Sequence, residues 1–257
     1  MTRRLAHILV LAVLAGLMPV TSVSAQADAR AIMDRIDRLL RGDSSHGVVT
    51  MEVVTEHWER RMTMEIWSLG TDYALVRLLA PKKEAGIATL RAEGNIWNYL
   101  PKVDRTIKIP ATMMGGSWMG SHFTNDDLVK QSRLIDDYEI AIAFDGVAAD
   151  SAGAAVWDFV LTPKPEAAVV WGHIDYRVRQ DDLMPLRARY YDEQGRLART
   201  MAFGGFRELG GRRVPADMHV HPADAPEERT TVRYRELEFD IVLEPPFFSL
   251  RNLQKGR

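Results

Sequence analysis

Two groups of residues have types and spacings that could carry out chemistry. The segment GSWMG at residues 116–120 places Ser117 between glycines, which superficially resembles the sharp turn that exposes a nucleophilic serine. The G-x-S-x-G spacing is not met, and no strand followed by a long helix surrounds Ser117. Asp217, His219 and His221 share one face of a strand, and such residues can bind a metal when other segments add ligands. Both groups are incomplete, so a turn serine and a solvated strand face are the simpler interpretations.

The acidic pairs indicate structural roles rather than catalysis. Residues 126–127, 136–137 and 181–182 are adjacent aspartates, and neighbouring side chains point in different directions on a helix or strand. Such pairs are typical of helix caps and turns. The sequence contains neither a phosphate-binding glycine motif followed by Lys-Ser/Thr nor a dinucleotide fingerprint. We therefore predict a protein that is not an enzyme and that uses no metal and no cofactor.

The N-terminus has the pattern of a secretory signal peptide. Two arginines precede an apolar segment at residues 8–18, and small residues after it offer cleavage sites. This apolar segment is shorter than the roughly 20 residues that a membrane-spanning helix needs. We predict a signal peptide over residues 1–27, a periplasmic location, no stable membrane insertion and a single domain over residues 28–257. The chain has no cysteine, which excludes disulfide bonds and a lipid-bearing N-terminal cysteine.

The charge pattern excludes one class of partner. The formal net charge is −2, and basic and acidic residues are interspersed along the chain without a basic run. A protein that binds nucleic acid needs clustered lysines or arginines to neutralise phosphates. We predict no nucleic-acid partner.

Hydrophobic periodicity predicts one helix followed by many strands. Residues 28–40 carry apolar side chains at helical spacing, and Gly42 is a plausible C-cap. From residue 48 onward the period changes to 2, and turn residues separate strand-like segments at the spacing of an antiparallel meander. These segments are residues 48–56, 61–69, 73–80, 85–93, 96–100, 106–109, 138–144, 156–162, 169–179, 185–191, 197–206, 213–221 and 229–240.

A segment rich in glycine and methionine, residues 113–123, separates the two runs of strands. We call it the glycine-methionine loop. Methionine is unbranched and polarizable, so it adapts to apolar ligands of variable shape, and glycine permits hinge motion. We interpret the loop as a movable lid over an apolar cavity, with the helix at residues 29–40 as a second cover. Thr124 and Asp127 then predict a capping box that begins a short helix ending near Ser132.

Several strands carry apolar residues on both faces, which predicts a sheet that is covered on one face and binds a ligand on the other. An incomplete barrel with helices on its concave side fits this pattern. For any single methionine, ordinary core packing is the simpler interpretation. The candidate cavity and lid residues are Met62, Met64, Ile66, Trp97, Met113, Met114, Trp118, Met119 and Phe123.

Several longer motifs resemble a known family, the outer-membrane lipoprotein-sorting proteins related to LolA. The first is NIWNYLPKVDRTIKIP at residues 95–110, followed by MMGGSWMGSHFTNDDL. The others are Tyr138-Glu139, PLRARYYDEQGRL at residues 185–197, RRVPADM at residues 212–218 and EPPFFSLRNL at residues 244–253. The resemblance covers nearly all of the mature chain.

The resemblance implies a fold and a function. The fold is α+β and mostly antiparallel β, a curved half-barrel, or incomplete β-barrel, of about 11 strands covered by helices. The best-known members shield lipoprotein acyl chains while carrying them across the periplasm. We therefore expect a periplasmic carrier or chaperone that binds the acyl chains of a lipoprotein or lipid for outer-membrane sorting, with an inner-membrane transporter as a partner.

Two other functions stay open. The first is a docking or accessory module for a membrane transporter or an envelope assembly machine, in which the same sheet and loop bind a protein without moving lipid. The second is a metal-dependent hydrolase, which would rest only on Asp217, His219 and His221. A cavity that holds an acyl chain favours the carrier, whereas a filled core with an exposed apolar patch favours docking.

Overall fold

A computed structural model describes residues 23–130 and 134–255. Most of the predicted signal peptide lies outside these residues, so it stays a prediction. The helices are α1 Val23–Arg41, α2 Asn125–Lys130, α3 Leu134–Asp137 and α4 Leu250–Leu253. The strands are β1 Ser44–Val54, β2 Glu59–Leu69, β3 Tyr73–Ala80, β4 Ala88–Ala92, β5 Asn95–Leu100, β6 Arg105–Lys108, β7 Tyr138–Val147, β8 Ala155–Pro163, β9 His173–Arg179, β10 Pro185–Tyr191, β11 Leu197–Leu209, β12 Arg212–Pro222 and β13 Arg229–Phe239.

All thirteen strands form one antiparallel sheet. Their order is β6-β5-β4-β3-β2-β1-β13-β12-β11-β10-β9-β8-β7, so the first and last strands of the chain pair at its middle. The edge strands β6 and β7 do not pair with each other, and the sheet is not closed. This confirms the mostly antiparallel fold. The expected count of about eleven strands is wrong, since the sheet has thirteen. Each of the thirteen strand-like segments of the sequence overlaps one of these strands.

The sheet curves around an apolar interior. Val76 of β3 and Tyr176 of β9 line the same cavity, although seven strand spacings separate these two strands in the sheet order. On a flat sheet, spacings of about 4.8 Å would place the two strands about 34 Å apart. The sheet therefore wraps so that distant strands face each other across its concave side.

Helix α1 packs into this concave side. Its residues Ala29, Met33 and Ile36 are buried in the main core together with inward-facing residues of the sheet. Gly42 follows the helix with a φ of 68°, a conformation that favours glycine, and its N–H donates to the Arg38 carbonyl at 2.9 Å. The predicted helix and its glycine C-cap are confirmed.

A second apolar cluster covers the outer, convex face of β3, β4 and β5. Leu75, Leu90 and Tyr99 point to this side, and Phe248 and Leu253 of the C-terminal segment pack against them. Both faces of β3, β4 and β5 are therefore apolar, and other parts of the protein pack against each face. The apolar C-terminal segment thus anchors the end of the described chain to the sheet.

Candidate functional site

An inner cavity of about 370 Å³ lies between α1 and the concave face of the sheet. Its volume falls within the range of pockets that hold small ligands. Alternation along each strand decides the lining, because residues two positions apart point to the same face. The apolar lining residues are Met33, Ile36, Leu40, Val49, Met51, Met64, Ile66, Ala74, Val76, Trp118, Phe123, Leu128, Leu134, Ile135, Tyr176, Tyr190, Phe203, Val214, Pro215, Met218, Val232, Tyr234 and Leu237.

The glycine-methionine loop contributes two aromatic side chains to the wall of the inner cavity. Trp118 and Phe123 are buried in the main core and line the cavity. The Trp118 ring donates from Nε1 to Thr89 Oγ1 on β4 at 3.2 Å, and the Trp118 N–H donates to the Phe123 carbonyl at 2.8 Å. Ser117 donates from Oγ to the Ser121 carbonyl at 2.5 Å, as expected of a turn serine. The loop thus carries aromatic side chains into the interior.

The same loop is fastened to the sheet by polar contacts. Arg60 of β2 donates from Nη1 to the Met119 carbonyl at 2.9 Å. On the other side, the His122 ring donates from Nε2 to Glu228 Oε2 at 3.0 Å, and its Nδ1 lies 2.8 Å from Thr230 Oγ1 of β13. Hydrogen bonding from His122 holds the pKa of Glu228 below its usual range. In this conformation the loop is therefore fixed to the sheet on both sides.

A buried ion pair ties the start of α2 to the sheet. Arg199 of β11 donates from Nη1 and Nη2 to the two carboxylate oxygens of Asp127, at 2.7 and 2.6 Å. The Arg199 guanidinium also lies over the rings of Tyr190 and Trp171, at 4.2 and 4.5 Å from their centroids. Burial by itself lowers the pKa of Arg199, but the Asp127 carboxylate outweighs it, so this pKa lies above its ordinary value.

The predicted capping box at the start of α2 is confirmed. Asp127 N–H donates to Thr124 Oγ1 at 3.1 Å, and Thr124 N–H donates to Asp127 Oδ2 at 2.6 Å. Asp127 is thus at once a helix cap and the partner of Arg199. The predicted helix end near Ser132 lies outside the described residues.

A family model described as "Uncharacterized protein" matches residues 70–255 of the chain. The chain belongs to this family. None of the curated protein sequences compared with the chain matches it.

Three solved structures share the fold of this family member. A DUF1329 family protein from Desulfovibrio piger has a TM-score of 0.79 at 21% identity, over 90% of this chain and 99% of that chain. A structure described as an outer membrane lipoprotein-sorting protein domain, from Vibrio parahaemolyticus, has a TM-score of 0.78 at 20% identity, over 90% and 100% of the two chains. A LolA superfamily protein from Nitrosomonas europaea has a TM-score of 0.74 at 20% identity, over 87% and 98%. The fold is LolA-like, and the resemblance found in the sequence is confirmed.

The structure brings together only part of the predicted ligand-binding set. Met64, Ile66, Trp118 and Phe123 line the inner cavity, and Met62 is buried in the core beside them.

The other predicted residues lie elsewhere. Met119 packs against the main core without lining the cavity, Met113 is 54% exposed, and Met114 is half-buried outside the lining. Trp97 belongs to the outer cluster, where the Lys108 ammonium lies 5.8 Å from its ring centroid.

The sequence patterns do not single out several residues that line the inner cavity. Tyr176, Tyr190, Phe203 and Tyr234 come from the second run of strands, where each has the inward parity of its strand. Alternation was the available signal, but it does not say which of two faces turns inward. Arg199 carried no signal, because its partner Asp127 is 72 positions away.

The residues of the metal hypothesis have other contacts. His219 Nδ1 lies 3.1 Å from Thr231 Oγ1, and the Asp217 carboxylate lies 3.9 Å from the Arg233 guanidinium. Across residues 23–130 and 134–255, no three side chains of His, Cys, Asp or Glu form a group that could hold a metal ion. Over the same residues, none of the helices has both the length and the apolar character to cross a bilayer.

Proposed function

We propose that this protein is a periplasmic, non-enzymatic carrier that binds the acyl chains of a lipoprotein or lipid in the inner cavity for sorting to the outer membrane. The observation that supports this proposal best is the cavity itself. It is about 370 Å³ in volume, lies between α1 and a LolA-like sheet, and has a predominantly apolar lining. A docking module would not need such a cavity, and a filled core would fit that function better.

Acyl chains suit this lining on energetic grounds. Each methylene that leaves water contributes about 0.8 kcal/mol, so a carrier needs apolar depth rather than reactive groups. Four methionines, Met33, Met51, Met64 and Met218, take part in the lining and can adjust to chains of different length and saturation. Adaptability of this kind favours a carrier of several related lipids.

The acidic groups at the cavity are engaged in structural contacts. Asp127 is held by Arg199, and Asp37 of α1 accepts from Arg41 Nη2 at 2.6 Å. Both carboxylates thus hold secondary structure in place. This arrangement supports binding without catalysis.

The first test is direct. The protein purified from a periplasmic extract is expected to release lipids on organic extraction, and native mass spectrometry is expected to resolve adducts of lipid mass. Purified protein should also bind cis-parinaric acid, a fluorescent acyl probe. A protein free of lipid that fails to bind the probe would contradict the carrier function.

A pair of variants then locates the binding site. Ile66→Trp adds bulk inside the cavity and is expected to weaken probe binding at least about tenfold, because it removes the space for the chain. Ile107→Trp is the matched control, since Ile107 is exposed on β6 outside the cavity. Thermal unfolding of both variants establishes that they fold. Equal affinities of the two variants would place the acyl chain elsewhere.

A further inference from the structure

The strands β12 and β13 pair over only part of their length, and the sheet splits between them beyond the Asp217–Arg233 pair. Ladder pairing joins these strands only from Asp217–Arg233 to Val220–Thr230, although each strand continues for several residues beyond Asp217 and Arg233. Pro215, two residues before Asp217 in β12, has no N–H to donate to a ladder.

Irregular pairing in the neighbouring strands falls at the same level. The β1–β13 register shifts between Val48 and Val49, which leaves Arg235 without a partner in that ladder. In the β11–β12 ladder, Gly205 and Ala216 stand opposite each other without forming a ladder pair, and the register is the same on either side of them. The β1–β13 shift is a bulge, which bends its strand and locally disrupts the ladder beside the split.

A second cavity of about 320 Å³ lies at this split on the convex side of the sheet. Thr50, Arg61 and Arg233 line it, and their neighbours Met51, Met62 and Val232 face the main core or its edge. We call this second cavity the arginine pocket. Its four arginines come from three strands: Arg61, Arg207, Arg233 and Arg235.

The arginine pocket and the inner cavity meet at Tyr234, which lines both. On β13, Val232 and Leu237 line the inner cavity, whereas Arg233 and Arg235 line the arginine pocket. No ladder pair joins β12 and β13 at this level, and Tyr234 is the residue that the apolar interior and the arginine pocket share.

The arginine pocket has unused capacity for an anion. The side chains of Arg61 and Arg235 are exposed and form neither an ion pair nor a hydrogen bond with any residue that the structure describes. Arg207 donates to the Tyr234 carbonyl. Arg233 lies 3.9 Å from the carboxylates of Asp217 and, on the neighbouring strand, Glu52. In a chain of net charge −2, this surplus of positive charge is local.

A buried hydroxyl lies beneath the arginines. Thr50 is 3% exposed, and its Oγ1 has no hydrogen-bond partner among the described residues. Burying a hydroxyl without a partner costs free energy, which a ligand oxygen can recover by accepting its hydrogen bond. Thr50 is therefore a donor next to four cationic groups.

We propose that the arginine pocket binds the anionic headgroup, a phosphate or carboxylate, of an amphiphile whose acyl chain passes through the split into the inner cavity. This inference rests on the proposed function, since the inner cavity must accept the chain. Arginine suits the headgroup because its planar guanidinium donates two parallel hydrogen bonds to carboxylate or phosphate oxygens. The ligand class is then an acidic lipid.

The test compares cis-parinaric acid with its methyl ester, which keeps the chain and removes the charge. In the double variant R61Q/R235Q, the ratio of acid to ester affinity is expected to fall about tenfold or more, as expected for the loss of charge-assisted hydrogen bonds. The matched control is R105Q/R251Q, which removes two exposed arginines outside both cavities. The control should keep the wild-type ratio.

The outcomes separate this inference from the function on which it rests. If wild-type protein binds both probes and R61Q/R235Q leaves the acid-to-ester ratio unchanged, the headgroup site is refuted and the carrier function stands. If neither probe binds wild-type protein, both fail. Inorganic phosphate is titrated alone as well. Phosphate binding that R61Q/R235Q abolishes, with an unchanged ratio, would assign the pocket to a free anion and overturn the lipid headgroup.

Discussion

Arg199 and Asp127 form a bidentate ion pair inside the protein, with their side chains 4% and 5% exposed. The pair joins β11 to the first turn of α2, and thereby fastens the connection that runs between the two edges of the sheet. Arg199 Nη1 also donates to the His122 carbonyl at 2.9 Å, so one guanidinium holds both the helix and the end of the glycine-methionine loop.

Breaking this ion pair should lower the stability of the protein strongly. Asp127→Asn keeps the size of the side chain but leaves the Arg199 charge buried without its counter-ion, and the expected loss is about 3–5 kcal/mol in the free energy of unfolding. Urea denaturation measures it. Asp34→Asn is the matched control, because it removes a surface pair with Arg38 within α1 and should cost less than about 1 kcal/mol. Equal losses in the two variants would mean that the buried pair has no special role.

The contact between His122 and Glu228 predicts a dependence of stability on pH. The pKa of Glu228 is lowered from its ordinary value of 4.5, first by the hydrogen bond from His122. A carboxylate with a depressed pKa contributes stability that is present above its unfolded pKa and is lost as the pH falls through its folded pKa. The wild type should therefore be more stable than Glu228→Gln above pH 4.5, and the difference should vanish in more acidic buffer.

Thermal melts of both proteins across this range measure the effect. Glu56→Gln serves as the control, because Glu56 lies in the same region of the surface and its side chain is largely exposed. A wild-type advantage that grows as the pH falls below 4.5 would contradict the assignment.

Much of the fold could be predicted from the sequence, and the reasons are local. Alternation predicted all thirteen strands, helical spacing predicted α1, and Thr124 and Asp127 predicted the capping box. The pairing of β1 with β13 could not be read in this way, because it joins the two ends of the chain. Trp97 shows the same limit within the site, since alternation identifies its face but does not tell whether that face turns inward.

The glycine-methionine loop divides into residues that should matter for binding and residues that should not. Phe123→Ala removes a buried ring that lines the inner cavity, so it should weaken binding of an acyl probe and lower stability by about 3–5 kcal/mol. Met113→Ser changes a side chain that is 54% exposed, so probe affinity should stay within about twofold of wild type. Fluorescence titration distinguishes the two. A large effect of Met113→Ser on probe affinity would instead indicate that this methionine takes part in binding.

The outer cluster should support stability without taking part in binding. Phe248 is buried against β3 and β4, and its ring centroid lies 5.4 Å from that of Tyr73. Phe248→Ala should cost about 3–5 kcal/mol of stability, because it opens a cavity under the C-terminal segment.

Acyl-probe affinity of the folded Phe248→Ala variant should nevertheless equal that of the wild type, since the outer cluster and the inner cavity lie on opposite faces of the sheet. Val242→Ala provides the control for stability, because this side chain is 96% exposed and its truncation should leave the melting temperature unchanged. The two readouts are needed together, at a temperature where Phe248→Ala is folded. A fall in probe affinity at that temperature would show that the convex cover and the concave cavity are coupled through β3 and β4, the strands whose two faces serve both.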